Sequence, residues 1–344
     1  MFLLSRQTRR DILSVMNRAI ASCAEKVLEG GSLDREEALF LCDVQLSDIH
    51  DLFYWSNSIR RNFVGDEVGL CTIVNARSGG CSEDCKFCSQ SIHYETSAPR
   101  YELMEPSKIL DAAEACSSIP SRFGIVTSGG CVESCEDMDS ICETIQILRK
   151  KYPHLPICGS LGHLTDSLAQ RLRQAGMSGF NHNLECSGRF FPEICTTHTY
   201  ADRVNTVRMA KAAGFRVCSG GIFGMGESWE DRVDLAFALR ELDVDSVPLN
   251  FLSPITGTPL ADTKQLTAID VLKIISLYRF VMPRKEIKVC GGREGHLRDL
   301  QSWMFFAGAS ATMAGNYLTT KGRAAEDDLR MIEDLGLTVK RALQ

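Results

Sequence analysis

Three cysteines in one short segment have a spacing that could hold a metal cluster. Cys81, Cys85 and Cys88 follow the pattern C-x3-C-x2-C. Three thiolates in one loop can bind three irons of a cubane [4Fe-4S] cluster and leave the fourth iron open to a substrate, whereas a structural zinc site closes its tetrahedron with four ligands. The spacing therefore favours an iron-sulfur cluster with an open iron over zinc or three unrelated buried thiols.

This motif is the signature of the radical S-adenosylmethionine (SAM) superfamily, and other segments resemble the biotin synthase family within it. The resemblance runs from about residue 69 to residue 320. Besides the cysteine loop it is carried by FNHNLE at 180–185, TTHTY at 196–200, RVCSGGI at 216–222, SVPLN at 246–250, GTPL at 257–260 and GGRE at 291–294. The Asn-His-Asn-Leu and Cys-Ser-Gly-Gly segments, in this order, are far more specific than the cysteine loop.

The resemblance implies an enzyme that converts dethiobiotin to biotin. In that family the open iron binds the amino and carboxylate groups of SAM, and one electron cleaves SAM to release a 5′-deoxyadenosyl radical. The radical removes hydrogen from unactivated carbons of dethiobiotin, and an auxiliary iron-sulfur cluster supplies the sulfur. The resemblance also implies a flavodoxin or ferredoxin as electron donor and a homodimer. No side chain is assigned as a general acid or base.

The resemblance further assigns residues to the two small molecules. The residues implied to bind SAM are Phe87, Asn183, Glu185, Arg203, Gly224 and Gly226. The residues implied to bind dethiobiotin are Asn183, Asn250, Thr319 and Thr320. Glu185 stands where the family usually has Asp. Because Asn183 and Glu185 are two residues apart on a predicted strand, both would point into the mouth of the barrel.

The expected ligands of the auxiliary cluster depart from the family pattern. The family generally uses three cysteines on separate strands and one arginine. Cys158, Cys218 and Arg293 match this pattern. Gly124 stands where the third cysteine is expected, and Cys290 stands where a small hydroxyl residue is usual. One thiol is therefore missing, and another has been gained on a different strand.

Two hypotheses account for this exchange. Either the auxiliary cluster is lost and the enzyme catalyses another radical SAM reaction, or the cluster is rebuilt around Cys158, Cys218 and Cys290. Three soft thiolates on three strands are hard to explain by packing alone, which favours rebuilding. Gly124 would leave room for a four-iron cluster rather than a [2Fe-2S] cluster. Cys290 and Arg293 would point to opposite faces of an ideal strand, so the glycine pair between them must bend the chain or only one is a ligand.

Alternating strands and helices would position these residues. Strands are predicted at 69–75, 122–127, 156–160, 179–184, 215–222, 246–251, 287–291 and 310–314. Helices are predicted at 106–117, 137–151, 165–175, 201–213, 228–241, 267–281 and 296–307. This alternation predicts a (β/α)8 TIM-type barrel over 66–315, with a doubly wound open sheet as the alternative. Residues 1–65 are predicted to form an N-terminal helical extension, and 316–344 a C-terminal cap.

Composition narrows the class of protein. The 344 residues include 38 Lys and Arg against 44 Asp and Glu, a formal net charge of -6, without a basic run. This balance argues against nucleic acid or an anionic membrane surface as a partner. Because the first ten residues contain no apolar stretch of signal-peptide length and no later stretch is long enough to span a bilayer, a cytoplasmic protein is expected.

Fifteen cysteines are many for a cytoplasmic protein, and metal or redox chemistry explains them better than disulfides. Seven are interpreted as buried apolar thiols, their usual role. These are Cys23, Cys42, Cys71, Cys116, Cys142, Cys186 and Cys195. The pattern leaves the roles of Cys131 and Cys135 open.

Two other functions compete with biotin formation. One is a different radical SAM enzyme on the same barrel, similar to a hydrogenase maturase or methylornithine synthase. The other is a non-catalytic iron-sulfur carrier, which would need neither an open iron nor a SAM site. The presence of both Asn183 and Asn250 favours biotin formation over these two alternatives.

Overall fold

The computed structural model describes residues 17–117, 119, 122–132 and 134–340, and helices come first in this part of the chain. They are α1 (Arg18–Leu28), α2 (Arg35–Cys42) and α3 (Ile49–Phe63), with a 3-10 turn at Leu46–Asp48. Asp34 begins α2 by accepting a hydrogen bond from the Glu37 backbone, and the Glu37 carboxylate returns a bond to the Asp34 backbone. The predicted helical extension is therefore present from residue 17; its first sixteen residues lie outside the described part.

Strands and helices then alternate. The strands are β1 (Glu67–Arg77), β2 (Arg122–Thr127), β3 (Ile157–Ser160), β4 (Gly179–Asn181), β5 (Arg216–Cys218), β6 (Gly221–Phe223), β7 (Ser246–Phe251), β8 (Glu286–Val289), β9 (Ala311–Met313) and β10 (Thr338–Val339). The helices are α4 (Pro106–Ala115), α5 (Cys135–Lys151), α6 (Asp166–Ala175), α7 (Tyr200–Ala212), α8 (Trp229–Glu241), α9 (Ala268–Val281), α10 (Arg293–Leu297), α11 (Trp303–Phe306) and α12 (Ala325–Asp334). Short 3-10 turns lie at Phe191–Glu193 and Arg298–Leu300.

The parallel strands close into a barrel. Strands β1 to β5 pair in sequence, β5 and β6 both pair with β7, β7 to β9 continue in sequence, and β9 returns to β1 through Gly69↔Ala311. The predicted (β/α)8 barrel is confirmed, and the open sheet is wrong. The strand predicted over 215–222 is divided into β5 and β6, which together occupy one position in the barrel. The break lies at Gly220, where a side chain would meet the Pro248 carbonyl oxygen at 2.0 Å.

Three predicted elements differ from the structure. The strand predicted over 179–184 ends at Asn181. The helix predicted over 296–307 is two short helices joined by a 3-10 turn, because Arg298 adopts a left-handed φ of 50° that interrupts the helical hydrogen bonds. The C-terminal segment contains a strand besides its helix, since β10 pairs with Glu67 and Val68 beside the barrel.

The apolar core lies between the barrel and its helices, not inside the barrel. Outward-facing residues such as Phe123, Val217 and Ile287 are fully buried there. Each such side chain contributes about 1.5–3 kcal/mol on burial. Because this outer layer stabilises the fold, the inner positions are free to carry the polar and thiol side chains of the site.

Candidate active site

The cysteine loop follows β1 at the end of the barrel where the strands finish, which is where TIM barrels carry their active sites. Gly79 and Gly80 precede it in left-handed conformations, with φ of 73° and 65°. Backbone hydrogen bonds then fold the loop: Cys81 N–H donates to Gln90 at 3.1 Å, and Cys88 N–H donates to Cys85 at 2.9 Å. The loop is thus held in shape by its own backbone.

The three thiols of this loop are suited to a metal cluster. Cys85 is buried, and Cys81 and Cys88 are half-buried. Burial raises the pKa of Cys88 to about 11 and also raises the pKa of Cys81. Since thiolates are the ligand form, binding of a cluster must displace these protons. Three soft donors in one partly enclosed loop fit an iron-sulfur cluster.

Cys195 and His198 lie against this loop, and the sequence interpretation missed them. Cys195 Sγ is 3.7 Å from Cys85 Sγ and 3.4 Å from His198 Nδ1. The hydrogen bond from Cys85 lowers the pKa of Cys195 to about 4. His198 Nδ1 also lies 2.6 Å from the Glu83 carboxylate. Cys195 is buried in an apolar cluster, as predicted, but its hydrogen bonds to the loop were not predicted; its position beside the TTHTY segment was the available signal.

Three residues predicted to bind SAM contact one another next to the loop. The Arg203 guanidinium donates to the Asn183 carbonyl at 3.0 Å and lies 3.6 Å from the Glu185 carboxylate. Arg203 Nη2 is 4.0 Å from Cys85 Sγ. Burial raises the pKa of Glu185, which Arg203 partly opposes. A charged, partly enclosed surface thus adjoins the three thiols.

Asn183 and Glu185 both line the barrel cavity together with Phe87, but not for the reason expected. Strand β4 has already ended, and Glu185 has a left-handed φ of 69°. The left-handed backbone of Glu185, which forms an isolated β-bridge with Gly221, therefore directs its side chain into the cavity in place of regular strand alternation. Backbone strain of this kind in a non-glycine residue is typical of functional sites.

The glycine turn at 224–226 is closed by a neighbouring carboxylate. Gly224 and Gly226 have φ of 94° and 106°. The backbone N–H groups of Gly224 and Met225 donate to Glu227 at 2.9 and 2.8 Å, and Arg232 pairs with the same carboxylate at 2.8 Å. Neither glycine is among the described residues lining the cavity, but Met225 between them packs in one apolar cluster with Cys85 and Phe87, so their role in binding SAM stays a prediction.

One cavity of about 380 Å³ runs down the barrel from this mouth. The predicted dethiobiotin residues Asn250, Thr319 and Thr320 line it together with Asn183. Thr319 Oγ1 accepts a hydrogen bond from the hydroxyl of Ser89 at 3.4 Å, which ties the C-terminal segment to the cysteine loop. The cavity therefore adjoins both predicted small-molecule sites.

Thiols line the lower part of the same cavity. Cys158, Cys218 and Cys290 all face it, from or just beyond β3, β5 and β8, as the sequence predicts. Cys71, on β1, faces it too and packs against Cys290. Cys71 is buried in an apolar cluster, as predicted, but its place among the four thiols of this cavity was not predicted. The signal was its inward register on the first strand.

A lysine lies among these thiols. Lys288 Nζ donates to Cys218 Sγ at 3.3 Å. Burial lowers the pKa of Lys288, but its electrostatic interactions with Cys218, Cys71 and Cys290 outweigh burial and raise this pKa above its usual range. Burial raises the pKa of Cys158 to about 12. Soft donors next to a fixed cation suit an anionic iron-sulfur group.

Arg293 makes its hydrogen bonds outside the cavity. The chain bends at Gly292, whose φ is 83°, and Arg293 begins α10 on the far side of the bend. Its fully buried guanidinium donates to Asp328 at 2.6 Å and to the Tyr317 hydroxyl at 3.3 Å. Of the pair Cys290 and Arg293, only Cys290 lines the cavity. Arg293 Nη1, however, is buried without a hydrogen-bond partner among the described residues, so the prediction that Arg293 binds the auxiliary cluster stays a prediction.

We expect Asp328→Ala to lower the free energy of unfolding by about 3–5 kcal/mol, because it leaves the Arg293 charge buried without its partner. Urea titration of the variant measures this loss. Glu326→Ala, an exposed carboxylate in the same first turn of α12, is the control and should change stability little. Equal losses of unfolding free energy in the two variants would show that the buried ion pair does not stabilise the protein.

Comparison with known proteins then identifies the chain. The Radical SAM superfamily matches residues 76–239, and the Biotin and Thiamin Synthesis associated domain matches residues 248–338. The chain is 49% identical over 325 residues to the biotin synthase of Geotalea daltonii, covering 94% of this chain and 98% of that protein. It is 50% identical over 321 residues to the biotin synthase of Geobacter sulfurreducens, covering 93% and 97%. The chain belongs to the biotin synthase family.

Solved structures agree with the fold of this family member. Methylornithine synthase superposes with a TM-score of 0.82 at 22% identity, covering 93% of this chain and 98% of that chain. A maturase of the [FeFe]-hydrogenase superposes with a TM-score of 0.81 at 14% identity, covering 98% and 79%. At these identities the likeness shows the barrel fold alone.

Across the described residues, no helix has the length and apolar character needed to cross a membrane.

Proposed function

We propose that this protein inserts sulfur into dethiobiotin to form biotin, in a SAM-dependent radical reaction. The observation that carries the proposal is a single cavity. It is lined near its mouth by Phe87 and Glu185, in the middle by Asn250, and below by the thiols around Cys218. A SAM-derived radical, the substrate and a sulfur source can therefore meet inside one enclosed space, as the reaction of this family requires. The non-catalytic alternative needs no such arrangement.

In this proposal Cys81, Cys85 and Cys88 hold a [4Fe-4S] cluster that, when bound, supplies the electron for cleavage of SAM. Arg203 orients the carboxylate of SAM, and Asn183 and Glu185 hold its ribose. Arg203 also donates to the backbone of Asn183, so one side chain fixes the relative positions of all three residues. Positioning before the reaction lowers its barrier, since no reorganisation is needed at the moment of reaction.

Asn250 is positioned to bind the ureido ring of dethiobiotin. Its Nδ2 donates to the Gly221 carbonyl at 3.2 Å, and its Oδ1 accepts from the Gly291 N–H at 3.1 Å. These two bonds fix the amide while leaving one N–H and one lone pair for a ligand. A cyclic urea offers the complementary carbonyl and N–H, which supports this assignment.

We expect Asn250→Ala to weaken dethiobiotin binding by about 1–3 kcal/mol, because a buried ureido group would lose its partner. SAM binding should change much less. Equilibrium binding of each ligand under anaerobic conditions measures both effects. The control is Ser253→Ala, an exposed hydroxyl on the same cavity. Equal loss for both ligands would place Asn250 outside the substrate site.

The auxiliary cluster of the proposal is held by Cys158, Cys218 and Cys290, with Cys71 as a further thiol within the same cavity. We favour a four-iron cluster over [2Fe-2S]. A Cβ at Gly124 would lie 3.0 Å from Ile73 Cγ2, so glycine keeps this wall of the cavity clear. Lys288 supplies a positive charge beside the thiolates, which supports binding of an anionic group.

The proposal extends to partners that follow from the family resemblance: a flavodoxin or ferredoxin as reductant, a homodimer and a cytoplasmic location. The experiment that tests the function is anaerobic quantification of iron and sulfide with Mössbauer spectroscopy, before and after turnover with dethiobiotin and SAM. Two distinct clusters and biotin as product are expected. A single cluster together with no biotin would overturn the proposal.

A further inference from the structure

A second cavity lies at the opposite end of the barrel, below the thiols. Its volume is about 370 Å³. It is formed where the strands begin, and its outer wall consists of Val64, Pro156, Ser178, Arg284 and Lys340. Arg284 is exposed, and Val64 and Ser178 are half-buried, so the cavity meets solvent at this end. We call it the floor cavity.

The floor cavity and the active-site cavity share part of their walls. Arg122, Cys158 and Arg216 line both. Glu286 lies between the two arginines, 3.1 Å from a guanidinium nitrogen of each. One layer of side chains, Arg122, Glu286 and Arg216, therefore lies between the two cavities, and Cys158 borders both of them. We call these three residues the floor layer.

The floor layer differs from an ordinary barrel interior, which is packed with branched apolar side chains. The side chains of Arg122, Arg216 and Glu286 retain 18%, 29% and 13% of their exposure, although they point into the barrel. Burial raises the pKa of Glu286, but Arg216 and Arg122 outweigh it and bring the pKa to about 2. The layer thus stays ionised, with two positive charges against one negative.

Charge above and below the floor layer has the same sign. Lys288 lies above it among the thiols, and Arg284 and Lys340 lie on the outer wall of the floor cavity. Glu67 and Asp245 also line this cavity and partly offset them. Such a passage attracts a small anion, because a charged constriction focuses the field on ions of opposite sign. Rotation of the side chains of the floor layer would connect the two cavities. A layer of packed apolar side chains would instead have to be repacked.

We propose that the floor cavity admits hydrosulfide, the monoanion of hydrogen sulfide, to the thiols of the active-site cavity. This inference rests on the proposed function. Each molecule of biotin carries away one sulfur atom, so a second turnover requires one to be returned. In the proposed function SAM and dethiobiotin occupy the active-site cavity during catalysis. The floor cavity is then the approach to Cys158 that they leave open. A diatomic anion is small enough to pass between two guanidinium groups.

The test measures uptake of ³⁵S-hydrosulfide into protein-bound sulfide of the holoenzyme after one turnover, with fresh SAM and dethiobiotin bound. Val64→Trp would fill the outer wall of the floor cavity and should slow uptake per cluster by about tenfold, since delivery depends on access. The yield of the first turnover should be unchanged. Asn62→Trp, an exposed neighbour that does not line the floor cavity, is the size control and should behave as the parent. Uptake at the parental rate in Val64→Trp would overturn the route.

A charge variant keeps the test decisive if Val64→Trp misfolds. Arg284→Glu changes only an exposed residue of the outer wall. It should slow hydrosulfide uptake by about threefold at low ionic strength and recover in high salt, because screening removes long-range attraction. Lys108→Glu makes the same change of charge at an exposed position of α4 and should not change hydrosulfide uptake. Unaltered uptake in Arg284→Glu would also overturn the route, whereas a parent enzyme that forms no biotin in the first turnover would instead overturn the proposed function.

Discussion

Cys85→Ala is expected to abolish reductive cleavage of SAM, lowering 5′-deoxyadenosine formation below detection. The thiol of Cys85 is the buried member of the three-cysteine loop. A cluster with two protein ligands loses its iron or the geometry that leaves one iron open. Cys81→Ala and Cys88→Ala should have the same outcome. Anaerobic reduction with dithionite, followed by chromatographic measurement of 5′-deoxyadenosine, tests each variant.

Two neighbouring cysteines provide the controls for this prediction. Cys186 is buried in the same apolar cluster as Cys85 and belongs to no motif, so Cys186→Ala should retain SAM cleavage. Cys195 is the sharper case, because its sulfur lies 3.7 Å from that of Cys85. If the sequence motif identifies the ligands correctly, Cys195→Ala keeps a full cluster. Normal cleavage in Cys85→Ala combined with loss in Cys195→Ala would move the ligand assignment to Cys195.

Cys290→Ser is expected to stop biotin formation while leaving 5′-deoxyadenosine formation largely intact. Serine preserves the shape of the side chain but replaces a soft sulfur donor with a hard oxygen, which binds iron-sulfur clusters poorly. Because Cys290 lines the active-site cavity and lies outside the three-cysteine loop, only the auxiliary cluster should be lost. Iron content should fall by about half, as expected for two clusters of equal size. Mössbauer spectra and biotin yield measure the two effects separately.

Two further variants sharpen this experiment. Gly124→Cys restores a thiol at the position where the family usually has one, but it should not rescue Cys290→Ser, because its side chain would obstruct the space that the larger cluster needs. Cys71→Ser tests the thiol that the sequence interpretation missed: loss of auxiliary iron would add Cys71 to the ligand set. Full auxiliary iron and normal biotin yield in Cys290→Ser would refute the proposed site.

Much of this protein could be predicted from local patterns. The spacing of Cys81, Cys85 and Cys88 indicates an open-iron cluster because all three donors belong to one short loop whose geometry depends on neighbouring residues. The alternation of strand and helix patterns predicts the closed barrel, since a parallel sheet must cover both faces. Predictions that assumed ideal elements were less accurate. Glu185 reaches the cavity through a left-handed backbone conformation beyond the end of its strand, and Arg298 breaks a helix that the apolar spacing favoured.

The sequence by itself therefore determined the barrel, the family resemblance and the loop that could hold the first cluster, because these depend on short-range spacing and repeated periodicity. Only the tertiary structure decided what converges inside the barrel. It brings Cys71 to the thiols of β3, β5 and β8, places Lys288 among them, and turns Arg293 away to Asp328. It also reveals the ionic floor layer. These contacts join residues far apart in the chain, and inward direction depends on register and on single bends such as the one at Gly292, which local patterns do not encode.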